Sequence, residues 1–201
     1  MIEFQDYHRL ELIQHFIKKT KCTDYLEIGC DKNQVFSKIK MKNKIGVDPA
    51  RGGTHRMTSD EFFERHNKKE YDVIFIDGLH YYDQVARDVI NGLKVLKPHG
   101  AILIHDMLPR TPEEAVVPIP ENAGVWLGDV WKLIFDLANC NDIDFRIART
   151  DCGVGVITLK DTFNRKKSFN SKNLKSNNLV WNDYVENLHT LPIVETETVL
   201  V

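Results

Sequence analysis

Asp72-Val73-Ile74-Phe75-Ile76-Asp77-Gly78-Leu79-His80 and Ala101-Ile102-Leu103-Ile104-His105-Asp106 are short apolar runs that each end in an acid. Four or five apolar residues with no polar alternation are what a strand buried on both faces of a parallel sheet looks like. Helix-like sequence lies between the two, so the unit reads strand, helix, strand. A right-handed crossover then sets both carboxyl ends at one edge of the sheet. Neighbouring strands lie about 4.8 Å apart, close enough for Asp77 and Asp106 to face one small site. Open sheets of this kind hold their ligands at that edge.

Outward from this unit the pattern repeats. Tyr25 to Ile28 reads as a first strand and Ile45-Gly46-Val47, ending at Asp48-Pro49, as a second. A third, weaker strand is expected around His55 to Met57. Residues 49–54 are too few for a parallel crossover, which needs about a dozen residues, so this strand is rudimentary or has lost its preceding helix. Leu10, Ile13, Phe16 and Ile17 predict an opening helix. Thr58-Ser59-Asp60-Glu61 has the spacing of a capping box and predicts a helix that buries Phe62 and Phe63. Val85, Val89, Leu93 and Leu96 give a further helix, ended by a turn at Lys97-Pro98-His99-Gly100. Pro109 to Pro120 reads as a loop over the crevice, and Asp129 as the cap of a helix burying Val130, Ile134 and Leu137. Ile143 to Ala148 and Val154 to Leu159 predict a hairpin turning at Thr150-Asp151-Cys152-Gly153.

Phe163 to Asn178 is rich in Lys, Asn and Ser and reads as a mobile basic surface loop. Trp181, Tyr184, Val185 and Leu188 resume helical spacing. The tail from Ile193 to Val201 is expected either to add a strand to a partner or to fray. The expected fold is α/β, a doubly wound, mostly parallel sheet of the seven-stranded type with an antiparallel last strand and a reduced third strand. It forms one domain over 1–201: an N-terminal helix in 1–20, a core in 21–160, and a basic loop, helix and tail in 161–201.

The 201 residues are 42% hydrophobic and 28% charged, as in an ordinary soluble protein. A net charge of -2 gives no reason to expect nucleic acid or an anionic membrane as partner. Four cysteines with no CxxC pair argue against structural zinc and fit a reduced cytoplasmic setting. No apolar stretch approaches the roughly 20 residues that cross a bilayer, and no basic start with an apolar core suggests export. A homo-oligomer is left open.

The first strand ends Glu27-Ile28-Gly29-Cys30-Asp31-Lys32-Asn33 and the second ends in Asp48. An acid after the second strand suits ribose hydroxyls, and a glycine at the first turn lets backbone approach a ligand. G-x-G-x-x-G is absent, so the combination points to a nucleoside rather than a pyrophosphate, and against a nucleotide-dependent oxidoreductase.

The set Tyr25-Leu26-Glu27-Ile28-Gly29, Ile45-Gly46-Val47-Asp48-Pro49, Met57-Thr58-Ser59-Asp60-Glu61-Phe62-Phe63, Phe75-Ile76-Asp77-Gly78-Leu79-His80, Leu96-Lys97-Pro98 and Ile104-His105-Asp106 resembles class I S-adenosylmethionine-dependent methyltransferases. Gly128-Asp129-Val130-Trp131-Lys132 and Cys152-Gly153-Val154-Gly155-Val156 extend the likeness. More narrowly, the chain is similar to small bacterial and viral enzymes related to catechol-type and sugar O-methyltransferases. The resemblance implies S-adenosylmethionine as cofactor and a sugar, glycan or other small molecule as methyl acceptor. Glu27 and Gly29 would line the methionine end, Asp48 the ribose, Thr58 and Ser59 the adenine edge, and Asp77 the amino group or a nearby water. It also implies that the final hairpin puts an antiparallel strand at the sheet edge. The usual glycine-rich turn is here Cys30-Asp31-Lys32-Asn33.

Two devices would activate an acceptor hydroxyl. In one, Asp77 and Asp106 hold Mg²⁺, which lowers the pKa of the acceptor oxygen. Relatives often carry a further acid or amide next to the second ligand, where this chain has Met107, so His80, His105 or Asp129 would have to complete the set. In the other, His80 or His105 is a general base. Tyr81, Tyr82 and Trp126 are candidates for shaping the acceptor pocket. Methylation of a nitrogen or carboxylate, or cofactor binding without catalysis, are the alternative readings.

Overall fold

The computed structural model describes residues 2–66 and 68–201. Its elements are α1 (Arg9–Lys19), β1 (Asp24–Ile28), β2 (Asn43–Val47), α2 (Ser59–Arg65), β3 (Tyr71–Ile76), α3 (Tyr82–Val95) and β4 (Leu96–Ile104). There follow α4 (Leu133–Ala138), β5 (Ile143–Ala148), β6 (Val154–Leu159), α5 (Trp181–Asn187), β7 (Ile193–Val194) and α6 (Thr196–Val199). One seven-stranded sheet runs in the order β2-β1-β3-β4-β6-β5-β7. Only β6 opposes the others, pairing antiparallel with both β4 and β5.

The apolar runs are buried on both faces, as their composition requires. Along β3, Ile74 and Ile76 pack under α2, α3 and α4, while Val73 and Phe75 pack on the other face with α1. In β4, Ile102 and Ile104 join the first group and Ala101 and Leu103 the second. Thr58 caps α2 as its spacing predicts: its hydroxyl accepts from Glu61 N at 3.2 Å, and the Glu61 carboxylate accepts from Thr58 N at 3.0 Å.

Several expectations change. The hairpin strand β6 lies inside the sheet, not at its edge. The third strand is rudimentary as expected, one bridge between Val47 and His55, but the seventh strand comes from the tail, whose Ile193–Val194 pairs with this chain's own β5. Lys97 to Gly100 form an irregular start to β4: Leu96 pairs with Tyr71 but Ala101 already pairs with Val73. Asp129 does not cap its own helix. Its carboxylate accepts from Tyr82 N at 2.6 Å, closing the first turn of α3 across space, and pairs with Lys132.

The Phe163–Asn178 stretch is folded onto the body by a buried Phe169 and by Asp136. That carboxylate accepts from Lys175 N, the Ser176 hydroxyl and the Tyr82 hydroxyl. Both ends of the chain meet at the β5–β6 turn. The Thr150 hydroxyl bonds the carbonyls of Gln5 and Tyr7, and the Gln5 and Tyr7 side chains donate to Glu197 of α6. Among the described residues, no helix is long and apolar enough to cross a membrane.

Candidate active site

Gly29, Asp48, Asp77 and His105 are each the first residue beyond a parallel strand. Three of them extend the ladder by one bond: Gly29 N donates to Val47 O at 2.9 Å, Asp77 N to Ile28 O at 2.8 Å and His105 N to Ile76 O at 3.0 Å. Four neighbouring strand ends thus deliver four residues side by side. Gly29 stands at φ +86°, and a Cβ there would lie 2.1 Å from the Asp77 carbonyl oxygen. Only glycine lets the first turn pass so close to β3.

A groove runs along these ends. One part, of about 590 Å³, is bordered by Glu27, Gly29, Asp77, His80, Asp106 and Trp126. The other, of about 410 Å³, is bordered by Asp48, Thr58, Ser59, Gln84, Asp88 and again Trp126. Every site residue assigned from sequence, His105 included, therefore borders this groove. Asp48 turns its carboxylate to the loops, accepting from Ala50 N and Arg51 N on one oxygen and from Asp31 N on the other. Glu27 is buried and accepts from the Tyr25 hydroxyl at 2.7 Å. Burial pushes its carboxyl up to about 7. Burial likewise raises the Cys30 thiol, consistent with a packing role.

Three potential metal ligands, Asp77, His80 and Asp106, hold their ligand atoms within 4.8 Å of one another. Asp106 reaches this position from a left-handed backbone, φ +60°, a conformation that costs a non-glycine residue on the order of 1–3 kcal/mol and is concentrated at functional sites. His80 Nε2 lies 3.2 Å from Asp106 Oδ2 and 3.7 Å from Asp77 Oδ1. Its Nδ1 lies 3.3 Å from the Trp126 carbonyl, which only accepts, so Nδ1 carries a proton. The Trp126 ring stacks on His80 at 5.1 Å, and Asp129 N holds the His80 carbonyl at 3.2 Å. With Nδ1 protonated, Nε2 points its lone pair at two carboxylates unless it too is protonated or faces a cation.

Of the three residues weighed as completing this set, His80 is the one that does. Asp129 is engaged elsewhere, and His105 is enclosed by acids. His105 Nδ1 lies 3.0 Å from Asp106 Oδ1 and 3.2 Å from Asp77 Oδ1, and its Nε2 lies 3.3 Å from Asp151 Oδ1. Burial opposes its charge, but Asp77, Asp106 and Asp151 raise its pKa well above the usual imidazole value. Asp77 and Asp106 raise that of His80 likewise against burial. Burial would raise Asp77, yet His105, His80 and Arg9 hold it well below the ordinary carboxylate range. Met107 is fully buried in the core, its sulfur filling the space beside Gly155. Tyr82 is a core residue, whereas Trp126 faces the groove.

Two participants lie outside the sequence-based set. Arg9, at the start of α1, places its guanidinium 3.0 Å from Asp151 and 3.6 Å from Asp77. Asp151, in the β5–β6 turn, accepts from Arg9 N at 2.7 Å. Both lock His105 from behind.

Residues 22–107 match a family model described as a methyltransferase domain. The structure is similar to a putative caffeoyl-CoA O-methyltransferase from Staphylococcus aureus, with TM-score 0.56 and 17% identity over 79% of this chain and 86% of that one. It is also similar to an O-methyltransferase from Bacillus cereus solved in complex with SAH, with TM-score 0.53 and 12% identity over 79% of this chain and 84% of that one. No curated protein matches the chain in sequence.

Proposed function

We propose that this S-adenosylmethionine-dependent methyltransferase, of class I fold and similar to small bacterial O-methyltransferases, methylates a hydroxyl of a sugar, glycan unit or comparable polar small molecule with the help of a divalent cation. The acceptor class rests on the resemblance and on the polar lining of the larger part of the groove, where Glu27, Asp77, His80 and Asp106 surround a single aromatic flank, Trp126. In this reading Glu27 receives the cofactor's ammonium group, Gly29 admits its thioether chain, the lone pair left on Asp48 Oδ2 takes a ribose hydroxyl, and Ser59 borders the base. Thr58 is accounted for by its cap.

Methyl transfer from a sulfonium is a direct displacement, so alignment of acceptor, methyl and sulfur is the main task, worth about 7–11 kcal/mol when complete. The remaining task is the acceptor's proton. Neither histidine has a ring nitrogen free for it: both nitrogens of His105 face carboxylates or Arg9, and those of His80 face the Trp126 carbonyl and the two aspartates. That observation carries the metal reading over the general-base reading.

Asp77, Asp106 and His80 Nε2 would hold the ion, which as a Lewis acid lowers the pKa of a bound hydroxyl. Two carboxylates and one imidazole suit Mg²⁺ or Mn²⁺, the nitrogen favouring Mn²⁺. Arg9 and His105 keep Asp77 ionised and fixed. Transfer of labelled methyl groups to a panel of sugars and catechols, with EDTA and with metals added back, tests this. Chelation should abolish transfer and Mg²⁺ or Mn²⁺ restore it. Asp106→Asn should lower kcat at least about 10²-fold while SAH binding, followed by calorimetry, stays within a few-fold. Transfer that ignores EDTA overturns the metal reading, and failure to bind SAH overturns the placement of the cofactor.

A further inference from the structure

Four buried acids border the groove: Glu27, Asp48, Asp88 and Asp106. Glu27 and Asp48 are accounted for by the proposed cofactor placement and Asp106 by the proposed cation site. Asp88 is not, although it sits on α3 at 1% exposure, on the apolar side of a helix whose other buried residues include Val85, Val89 and Leu93.

Two other buried carboxylates have both oxygens engaged: Asp48 by three backbone amides, Asp136 by an amide and two hydroxyls. Asp88 differs. Arg87 donates to Gln84 Oε1, which fixes that amide's orientation. Gln84 Nε2 then donates to Ser59 Oγ at 3.0 Å and to Asp88 Oδ1 at 3.1 Å. Among the described residues, Asp88 Oδ2 is left buried without a hydrogen-bond partner. It lies beside Gly78 on the groove wall, 3.9 Å from where a Cβ at that residue would stand, so no side chain screens it there. Burial pushes this carboxyl up to about 7. The network holds one oxygen still and leaves the other bare.

S-adenosylmethionine has three hydrogen-bond donor groups: the ammonium, the ribose hydroxyls and the exocyclic amino group of adenine. We infer that Asp88 Oδ2 accepts from that exocyclic amino group and so distinguishes adenine from a 6-oxo purine. The inference rests on the cofactor placement above and adds the residue that reads the base. Ser59 and Gln84 hold Asp88 in position.

The test uses SAH and S-inosylhomocysteine, which carries an oxygen in place of the amino group, titrated calorimetrically into wild-type protein and Asp88→Asn. The substitution keeps Oδ1 for Gln84 and replaces only the bare oxygen with a donor. Wild type should bind SAH at least tenfold more tightly than the inosine analogue. In Asp88→Asn that preference should fall at least tenfold, SAH weakening and the analogue holding or tightening, with an unchanged or higher Tm. Equal weakening of both ligands, or an unaltered preference, overturns the role of Asp88. Wild type that binds neither ligand overturns the cofactor placement itself and the inference with it. A lowered Tm does not obscure the result, because the ratio of the two affinities is read on one folded protein.

Discussion

An alanine at position 29 would bring its Cβ within 2.1 Å of the Asp77 carbonyl in a backbone held at φ +86°, so β1 and β3 would have to part at the site itself. Gly29→Ala should lower Tm and abolish SAH binding, checked by thermal melts and calorimetry. Thr58→Ala, by contrast, removes only a cap and should cost about 1 kcal/mol of stability, with SAH affinity unchanged within about twofold. Glu27, Asp48, Asp77 and Asp106 were legible in the sequence because an acid that ends an apolar run is costly unless it has a task. Arg9 and Asp151 were not, because their pairing spans 142 positions. A signal existed nonetheless: Arg9 precedes Ile13 by four residues and Phe16 by seven, which puts a cation on the buried face of α1. Arg9→Met would leave Asp77 and Asp151 facing each other's charge with His105 alone between them. Urea unfolding at pH 7 should register a loss of about 3 kcal/mol.

At the scale of elements, the hairpin and the strand–helix–strand unit were read at their observed places, whereas the position of β6 between β4 and β5 was not. Local sequence does not state strand order, yet burial carries it. Val154 to Ile157 form an unbroken buried run, while β5 alternates Ile143, Phe145 and Ile147 with the more exposed Asp144 and Arg146. The unbroken run is the mark of the more central strand. The tail strand was unreadable for a different reason: two residues, Ile193 and Val194, carry no periodicity. Its bonds are real all the same, with Ile147 N donating to Pro192 O and Arg149 N to Val194 O. Truncation after Pro192 should expose the β5 edge, lower Tm by several degrees and increase aggregation, measurable by scanning calorimetry and light scattering.

For the whole molecule, the groove groups whose pKa is raised all act in one direction. Glu27 and Asp88 are both raised to about 7, so between roughly pH 4.5 and 7 the unfolded chain has released protons that the folded one retains. Stability therefore falls as pH rises through that window, on the order of 3 kcal/mol for Glu27. His80 and His105 are raised, so their contribution is present below about pH 6.5 and lost as pH climbs through their folded values. Asp77 and Asp151 are depressed and contribute above about pH 4, losing it only in acid. Ligand-free protein should melt at a higher temperature at pH 5 than at pH 8, and Glu27→Gln should flatten the difference. A bound ammonium group would keep Glu27 ionised and do the same. Gln5, Tyr7 and α6 are fastened together through Thr150 and Glu197, and the next residue after Thr150 is the Asp151 that steadies His105. A proteolytic nick ahead of Arg9, or a bulky affinity tag crowding either terminus, would therefore slacken Asp77 and Asp106 from the far side of the protein, while every residue that borders the groove kept its identity.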